Sequence, residues 1–180
     1  MIIVFGSINM DMTLKTPRFP AAGETVISTS YTLSPGGKGA NQSLAAARAG
    51  AKVALIGRIG DDAAGTRILN TLRRNGVNTS GVTQTELPTG CAILVHDESG
   101  EKRTVIASGA NSLISEDQVP SEILNKSALV LLQMEVPPEQ NWKMLERAKK
   151  RGAQAMLNLS HDIHIPKDMF PLLDYMAVNQ

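Results

Sequence analysis

The chain has a single cysteine, Cys91, among its 180 residues, so no disulfide can form within it. Aromatic residues make up only 3%, too few for the stacking platforms on which single-stranded nucleic acids lie. Neither charge predominates: 18 Lys and Arg stand against 17 Asp and Glu, for a net charge of +1. No basic field therefore draws a nucleic acid or an acidic membrane surface. The apolar opening of MIIVFGSINMD is too short for a bilayer span and lacks the basic leader of a signal peptide. A cytoplasmic protein, with no nucleic acid and no membrane as partner, is the expectation. The sequence also lacks internal repeats and low-complexity tracts. What remains is an ordinary globular composition, 42% hydrophobic.

Short apolar runs bounded by polar residues or glycine read as buried strands at Ile2 to Phe5, Lys52 to Ile56, Ala128 to Leu132, Ala153 to Leu157 and Tyr175 to Val178. Helical patterns lie between them. Asp62 is a plausible N-cap, Ile68, Leu69 and Leu72 share a face, and Gly76 follows the end. Trp142, Leu145 and Ala148 recur at threes before Gly152. Strands alternating with helices predict an α/β protein with a parallel sheet. Two β-prone stretches break the rhythm. Residues 11–33 surround a Pro/Gly loop, and residues 91–108 read as a hairpin turning at Glu98 to Glu101. Both suit a small second sheet inserted at one edge as a lid. They flank the glycine-rich stretch and Asn111.

In open parallel sheets ligands sit outside the carboxyl ends of the strands. The polar residues that follow the predicted strands are Asn9 and Asp11, Gln133 and Glu135, Asn158 and Ser160, and Asn179. Between strand candidates lies LSPGGKGANQSLAAARAG, Leu33 to Gly50. It is not a P-loop, because Gly39 rather than Ser or Thr follows Lys38. Nor does G-x-G-x-x-G follow the first strand, which excludes the dinucleotide fingerprint. Two readings remain open on the residues alone. One is a glycine turn opening an alanine-rich helix. The other is a ligand site in which Gly36 and Gly37 admit close approach to backbone, the first N–H groups of a helix starting near Gly39 face the crevice, and Lys38 and Asn41 supply donors.

The strings GSINMD, GGKGANQSLAAARAGAKVALIGRIGDDAAG and QMEVP resemble the ribokinase-like carbohydrate kinase family, from residue 1 to residue 180. The resemblance implies a Rossmann-like parallel sheet flanked by helices, with a small β-sheet lid, in which the lid segments are approximately 11–33 and 91–108. It implies ATP-dependent phosphorylation of a ribose-like sugar, with magnesium and, in some members, a monovalent cation. Residue by residue it places Asn9, Asp11, the backbone of Gly37, Lys38, Asn41 and Glu135 on the sugar hydroxyls, and Asn179 on the nucleotide side. It makes Asp61 and Asp62 turn and cap residues. It also implies that lids pair between subunits in a homodimer. His161, Asp162 and His164 are read as a polar loop rather than a metal site.

The sequence departs from the family pattern in places. Leu159 stands where a proline is usual, and Val178 precedes Asn179 where the family has Pro-Asn-x-x-Glu. The family's G-A-G-D, which carries the aspartate base and the anion hole, has no counterpart here. The expectation is a chain holding roughly the first 60% of such a kinase, with the nucleotide-binding half and catalytic base beyond Gln180, inactive by itself. The alternatives are a nucleoside or other sugar kinase of the same family, which Lys38 disfavours, and a non-catalytic sugar-binding protein.

Overall fold

A computed structural model of the chain describes residues 1–159 and 165–178. Two sheets organise it. The larger has six strands, β1 (Ile2–Phe5), β4 (Val53–Gly60), β5 (Asn78–Thr85), β8 (Leu129–Gln133), β9 (Gln154–Leu159) and β10 (Tyr175–Val178), in the order β10-β9-β8-β1-β4-β5. Every pairing in it is parallel. The smaller has four strands, β2 (Asn9–Lys15), β3 (Ser30–Gly36), β6 (Gly90–His96) and β7 (Lys102–Ala107), in the order β3-β2-β6-β7.

The apolar run of β1 explains its central place. Ile3, Val4 and Phe5 are fully buried, as a strand covered on both faces requires. Successive side chains point to opposite faces. Ile3 and Phe5 accordingly join one core with Met144, Leu145 and Ala148 of α3 (Pro138–Lys150). Val4 joins the other, with Ile68, Leu69 and Leu72 of α2 (Ala63–Arg74) and Ala40 of α1 (Lys38–Arg48). The spacing read as helical faces in the sequence is thus what clamps the sheet from both sides. Each fully buried leucine of this kind contributes about 1.5–3 kcal/mol.

Caps behave as their residue types dictate. The Asp62 carboxylate accepts from Gly65 N at 2.7 Å, and also takes the Thr89 N–H at 2.8 Å and its hydroxyl at 2.7 Å. It caps the N-terminus of α2 and pins the loop before β6, the cap role read from sequence. Burial is the largest single influence on it and would raise its pKa, but these hydrogen bonds together outweigh burial and lower it.

Several expectations change. Strand β5 was not anticipated: its sequence NTSGVTQT is polar because it lies at the sheet edge, where only Thr79 of the strand is buried. The lid strands extend beyond the predicted bounds, since β2 begins at Asn9 and β3 runs to Gly36. The first lid hairpin also leaves the central strand β1 rather than an edge. The lid is joined internally by a parallel pairing of β2 with β6, and its outer pairs are antiparallel. Among the described residues no helix is long and apolar enough to cross a membrane.

Candidate functional site

The strand following β1 in the large sheet is β4 on one side, whereas β8 is added on the other. The chain therefore reverses its winding between β1 and β8, and a crevice opens at their carboxyl ends. Ser7 follows β1 and Glu135 follows β8, and the two meet there: the Ser7 hydroxyl donates to Glu135 Oε2 at 2.7 Å. The start of α1 closes on the same carboxylate. Lys38 N donates to Glu135 Oε2 at 3.1 Å, and the Lys38 ammonium lies 3.0 Å from Glu135 Oε1. Gly39 N reaches the Ser7 hydroxyl at 3.4 Å, and Ala40 N donates to the Ser7 carbonyl at 3.0 Å.

This corrects one part of the sequence reading. The first N–H groups of α1 do not stand open for a ligand, because Glu135 and Ser7 take them. A carboxylate at a helix N-terminus is favoured by the helix dipole, and no side chain caps α1 in the ordinary way. Burial, the largest single influence, would raise the Glu135 pKa. The bonds from Ser7 and from the Lys38 N–H and ammonium together outweigh it and hold Glu135 below its ordinary 4.5. Lys38, read from sequence as a hydroxyl donor, is engaged with Glu135.

Asp11 lies on β2, one residue beyond the buried Met10. Its Oδ1 is sealed from solvent and accepts no hydrogen bond from the described residues, while the side chain as a whole is only half-buried. Burial first, and the Glu135 charge second, push the Asp11 carboxyl above its ordinary 3.8, with Lys102 offsetting part of this. The carboxyl rests on Gly36: a Cβ there would stand 2.0 Å from Asp11 Oδ2. Gly37 has φ +86°, and a Cβ on it would meet Asn9 N at 2.7 Å and Ser7 O at 2.8 Å. The two glycines of the motif thus serve two separate needs, room for Asp11 and a left-handed bend into α1.

Asn9 is buried and its Oδ1 accepts from Asn111 Nδ2 at 2.7 Å. Asn41 is exposed on the first turn of α1. An open cleft of about 360 Å³, lined in part by Glu135, Met134, Ser108 and Ile106, adjoins the site. That volume lies at the small end of ligand pockets, which span roughly 300–1,000 Å³. By register Ile106 pairs with Ala92 and Ala92 with Asp11, which puts Ile106 on the Asp11 face of the lid. The structure therefore brings Asn9, Asp11, Gly37, Lys38 and Glu135 around one crevice. It adds Ser7 and Asn111, for which sequence reasoning gave no role. Small polar residues beside a strand carry no periodicity to reveal them.

Asn179, Ser160, His161, Asp162 and His164 lie outside the described residues. Among the described residues no group of three or more His, Cys, Asp or Glu side chains is placed to hold a metal ion.

A profile of the pfkB family carbohydrate kinases matches residues 1–180. The chain belongs to the pfkB carbohydrate kinase family. Among curated pfkB-type relatives, the ribokinase of Schizosaccharomyces pombe is 34% identical, across 99% of this chain and 59% of its own length. That of Bacillus subtilis is 42% identical, across 77% of this chain and 48% of its own length. Among solved structures, the ribokinase of Arabidopsis thaliana, complexed with ribose and ATP, shares 31% identity at a TM-score of 0.85, covering 98% of this chain and 59% of that one. The ribokinase of Thermotoga maritima gives 30% and 0.87, covering 99% of this chain and 59% of that one. The chain thus spans about half to three fifths of these relatives' lengths. Its fold is the ribokinase-like one: a parallel sheet flanked by helices, with a small lid sheet.

Proposed function

We propose that the protein containing these residues transfers a phosphoryl group from ATP to a hydroxyl of a ribose-like pentose, and that this chain supplies the sugar-binding part. One observation carries the reading: the Asp11 carboxylate is desolvated at the crevice with a buried oxygen that no described donor reaches. A buried acceptor without a donor is costly, and sugar hydroxyls are the donors it lacks. The names of the relatives point to the same substrate. In this reading Asp11 accepts sugar hydroxyl protons, Asn9 and Asn41 donate, and the Gly37 backbone lines the approach. Lys38 and Glu135 form a neutralised pair at the crevice floor that also meets a hydroxyl. Asn179 belongs to the nucleotide side. ATP supplies the phosphoryl group, magnesium balances its charge, and a monovalent cation is an optional further component. Positioning and charge stabilisation are what such transfer needs from a protein.

Calorimetric titration with ribose, paired with a coupled ADP-release assay, tests this. The expected result is saturable ribose binding by the 180-residue chain with no ribose-dependent turnover, since a positioned base alone supplies roughly 10²–10⁴-fold. Absence of binding would overturn the sugar site. Turnover near ~1 s⁻¹, the low end for enzymes, would overturn the division of labour. Tighter binding of a nucleoside or a hexose than of ribose would move the substrate within the family.

The lid supports a homodimer in the same proposal. On the face opposite Asp11, register aligns Leu33, Met12, Ile93 and Val105 in one row across all four strands. Val105 is 69% and Ile93 40% exposed. An apolar sheet face with open edges invites another chain, and a second copy of the lid covers both through one symmetric interface. Light scattering is expected to give a dimer for the unaltered chain and a monomer for Ile93→Asp. A wild type that stays monomeric at high micromolar concentration would rule out the shared lid.

A further inference from the structure

Asn111 sits on a short 3-10 turn, Gly109–Leu113, just after the last lid strand, and is 1% exposed. Its side chain behaves like a fragment of sheet. Its Oδ1 accepts from Ile8 N at 2.9 Å, and its Nδ2 donates to Ile8 O at 3.1 Å. Ile8 lies in the link between β1 and β2, where the chain passes from the large sheet into the lid. The same Nδ2 donates to Asn9 Oδ1 at 2.7 Å. The first residue of β6 closes over this contact: a Cβ on Gly90 would stand 2.2 Å from Asn111 Nδ2 and 2.3 Å from Asn9 Oδ1. Asn111 thus fastens three chain segments where lid and core join.

The hydrogen-bond chemistry has a consequence for Asn9. A backbone N–H only donates, so the Asn111 atom facing Ile8 N is its oxygen, and its amino group faces the other way. An amide NH₂ only donates, so the Asn9 atom meeting it is the carbonyl oxygen. The Asn9 NH₂ is left on the opposite side, where no described residue accepts from it.

We infer that Asn111 is a positioning residue that sets the orientation of the Asn9 amide, so that the site presents a donor, and not an acceptor, to one hydroxyl of its ligand. The inference rests on the sugar-site reading of Asn9. It makes Asn111 a determinant of specificity that touches no ligand. Paired with Asp11, which only accepts, the oriented Asn9 gives the crevice one donor and one acceptor of fixed place. A hydroxyl can satisfy both at once, since it donates and accepts.

Asn111→Asp reverses the logic with little change in shape. One carboxylate oxygen still accepts from Ile8 N. The other forces Asn9 to turn its NH₂ inward and offer its oxygen to the ligand. Ribose affinity measured by calorimetry at pH 7.5 is expected to fall about tenfold, the scale of one lost hydrogen bond opposed by a second acceptor. Acidification is expected to shrink the ratio between wild type and variant, because a protonated Asp at 111 again donates to Asn9. A purely structural role, acting through the Ile8 O contact that the same substitution breaks, gives an effect that persists when Asn9 is replaced by alanine. In an Asn9→Ala background the substitution is expected to have no further effect on ribose affinity.

A second measurement uses the unaltered chain and so stands even if the variant fails to fold. On ribose addition, the side-chain amide resonances of Asn9 are expected to move and those of Asn111 to stay. An Asn111→Asp variant that binds ribose like wild type at pH 7.5, an effect that persists without Asn9, or ribose shifts confined to Asn111 would each overturn the inference. A wild type that binds no ribose would remove the sugar-site reading itself, and this inference with it.

Discussion

Replacing Asp11 by alanine is expected to weaken ribose binding by about 10- to 150-fold, the equivalent of the roughly 1.5–3 kcal/mol carried by a hydrogen bond to a charged group. The melting temperature is expected to hold or rise, because the substitution removes a desolvated carboxylate with an unmet acceptor. Function and stability pull in opposite directions at this residue. Gly36→Ala is expected to act through the same group. The new methyl would stand 2.0 Å from the carboxylate, so the side chain must swing away and affinity falls, although Gly36 needs no left-handed backbone. The pH profile carries a matching sign. Asp11 has a folded pKa raised above 3.8, so its ionisation costs stability as pH rises through that interval, and the cost is absent below 3.8. Ribose binding needs the ionised form and is expected to decline on acidification through the raised pKa. Calorimetry at several pH values checks both. Unchanged affinity in Asp11→Ala would remove Asp11 from the site.

Removing the Glu135 side chain has the other large effect, on stability. Glu135→Ala leaves the Ser7 hydroxyl, the Lys38 N–H and the Lys38 ammonium without their shared acceptor. Breaking a buried pair costs about 3–5 kcal/mol. Lys38 keeps 26% of its side chain in solvent, and that screening reduces the expected loss to about 2–3 kcal/mol. For a chain of this size the melting temperature should fall by about 4–12 °C. The folded pKa of Glu135 is held below 4.5, so its contribution is present above 4.5 and is lost as pH falls through the folded value. Thermal melts across acidic pH should show wild type and Glu135→Ala converging at the acid end. Curves that stay parallel down to the lowest pH would show that the Glu135 charge does not stabilise the fold.

How much of this was legible in the sequence depended on what each residue had to do. The run IIVF gave β1 to the residue because burial on both faces demands an unbroken apolar segment. The N-cap aspartate and the closing glycines bounded α2 and α3 for equally local reasons. Strand β5 escaped notice because an edge strand can afford polar residues. The lid was legible as β-prone, but not its parallel β2–β6 pairing, since nothing in residues 9–15 announces a partner some eighty positions onward. In the site, Asp11 and Glu135 stood out as carboxylates after strands. That Glu135 occupies the α1 N-terminus and holds Lys38 is a matter of three-dimensional approach. Ser7 and Asn111 carry no pattern at all, and only the hydrogen bonds show their roles.

The central position of β1 also sets a timetable. Its pairing with β4 is possible once Ile56 exists, but its other edge waits for β8, ending at Gln133. At about 5–20 residues synthesised per second, that interval lasts roughly 4–15 s. Throughout it, a fully apolar strand shows one open row of N–H and C=O groups, the template on which nascent chains pair wrongly with one another. Strand β1 thus gains its second neighbour only after some seventy-seven further residues have been made, although it stands at the centre of the finished sheet.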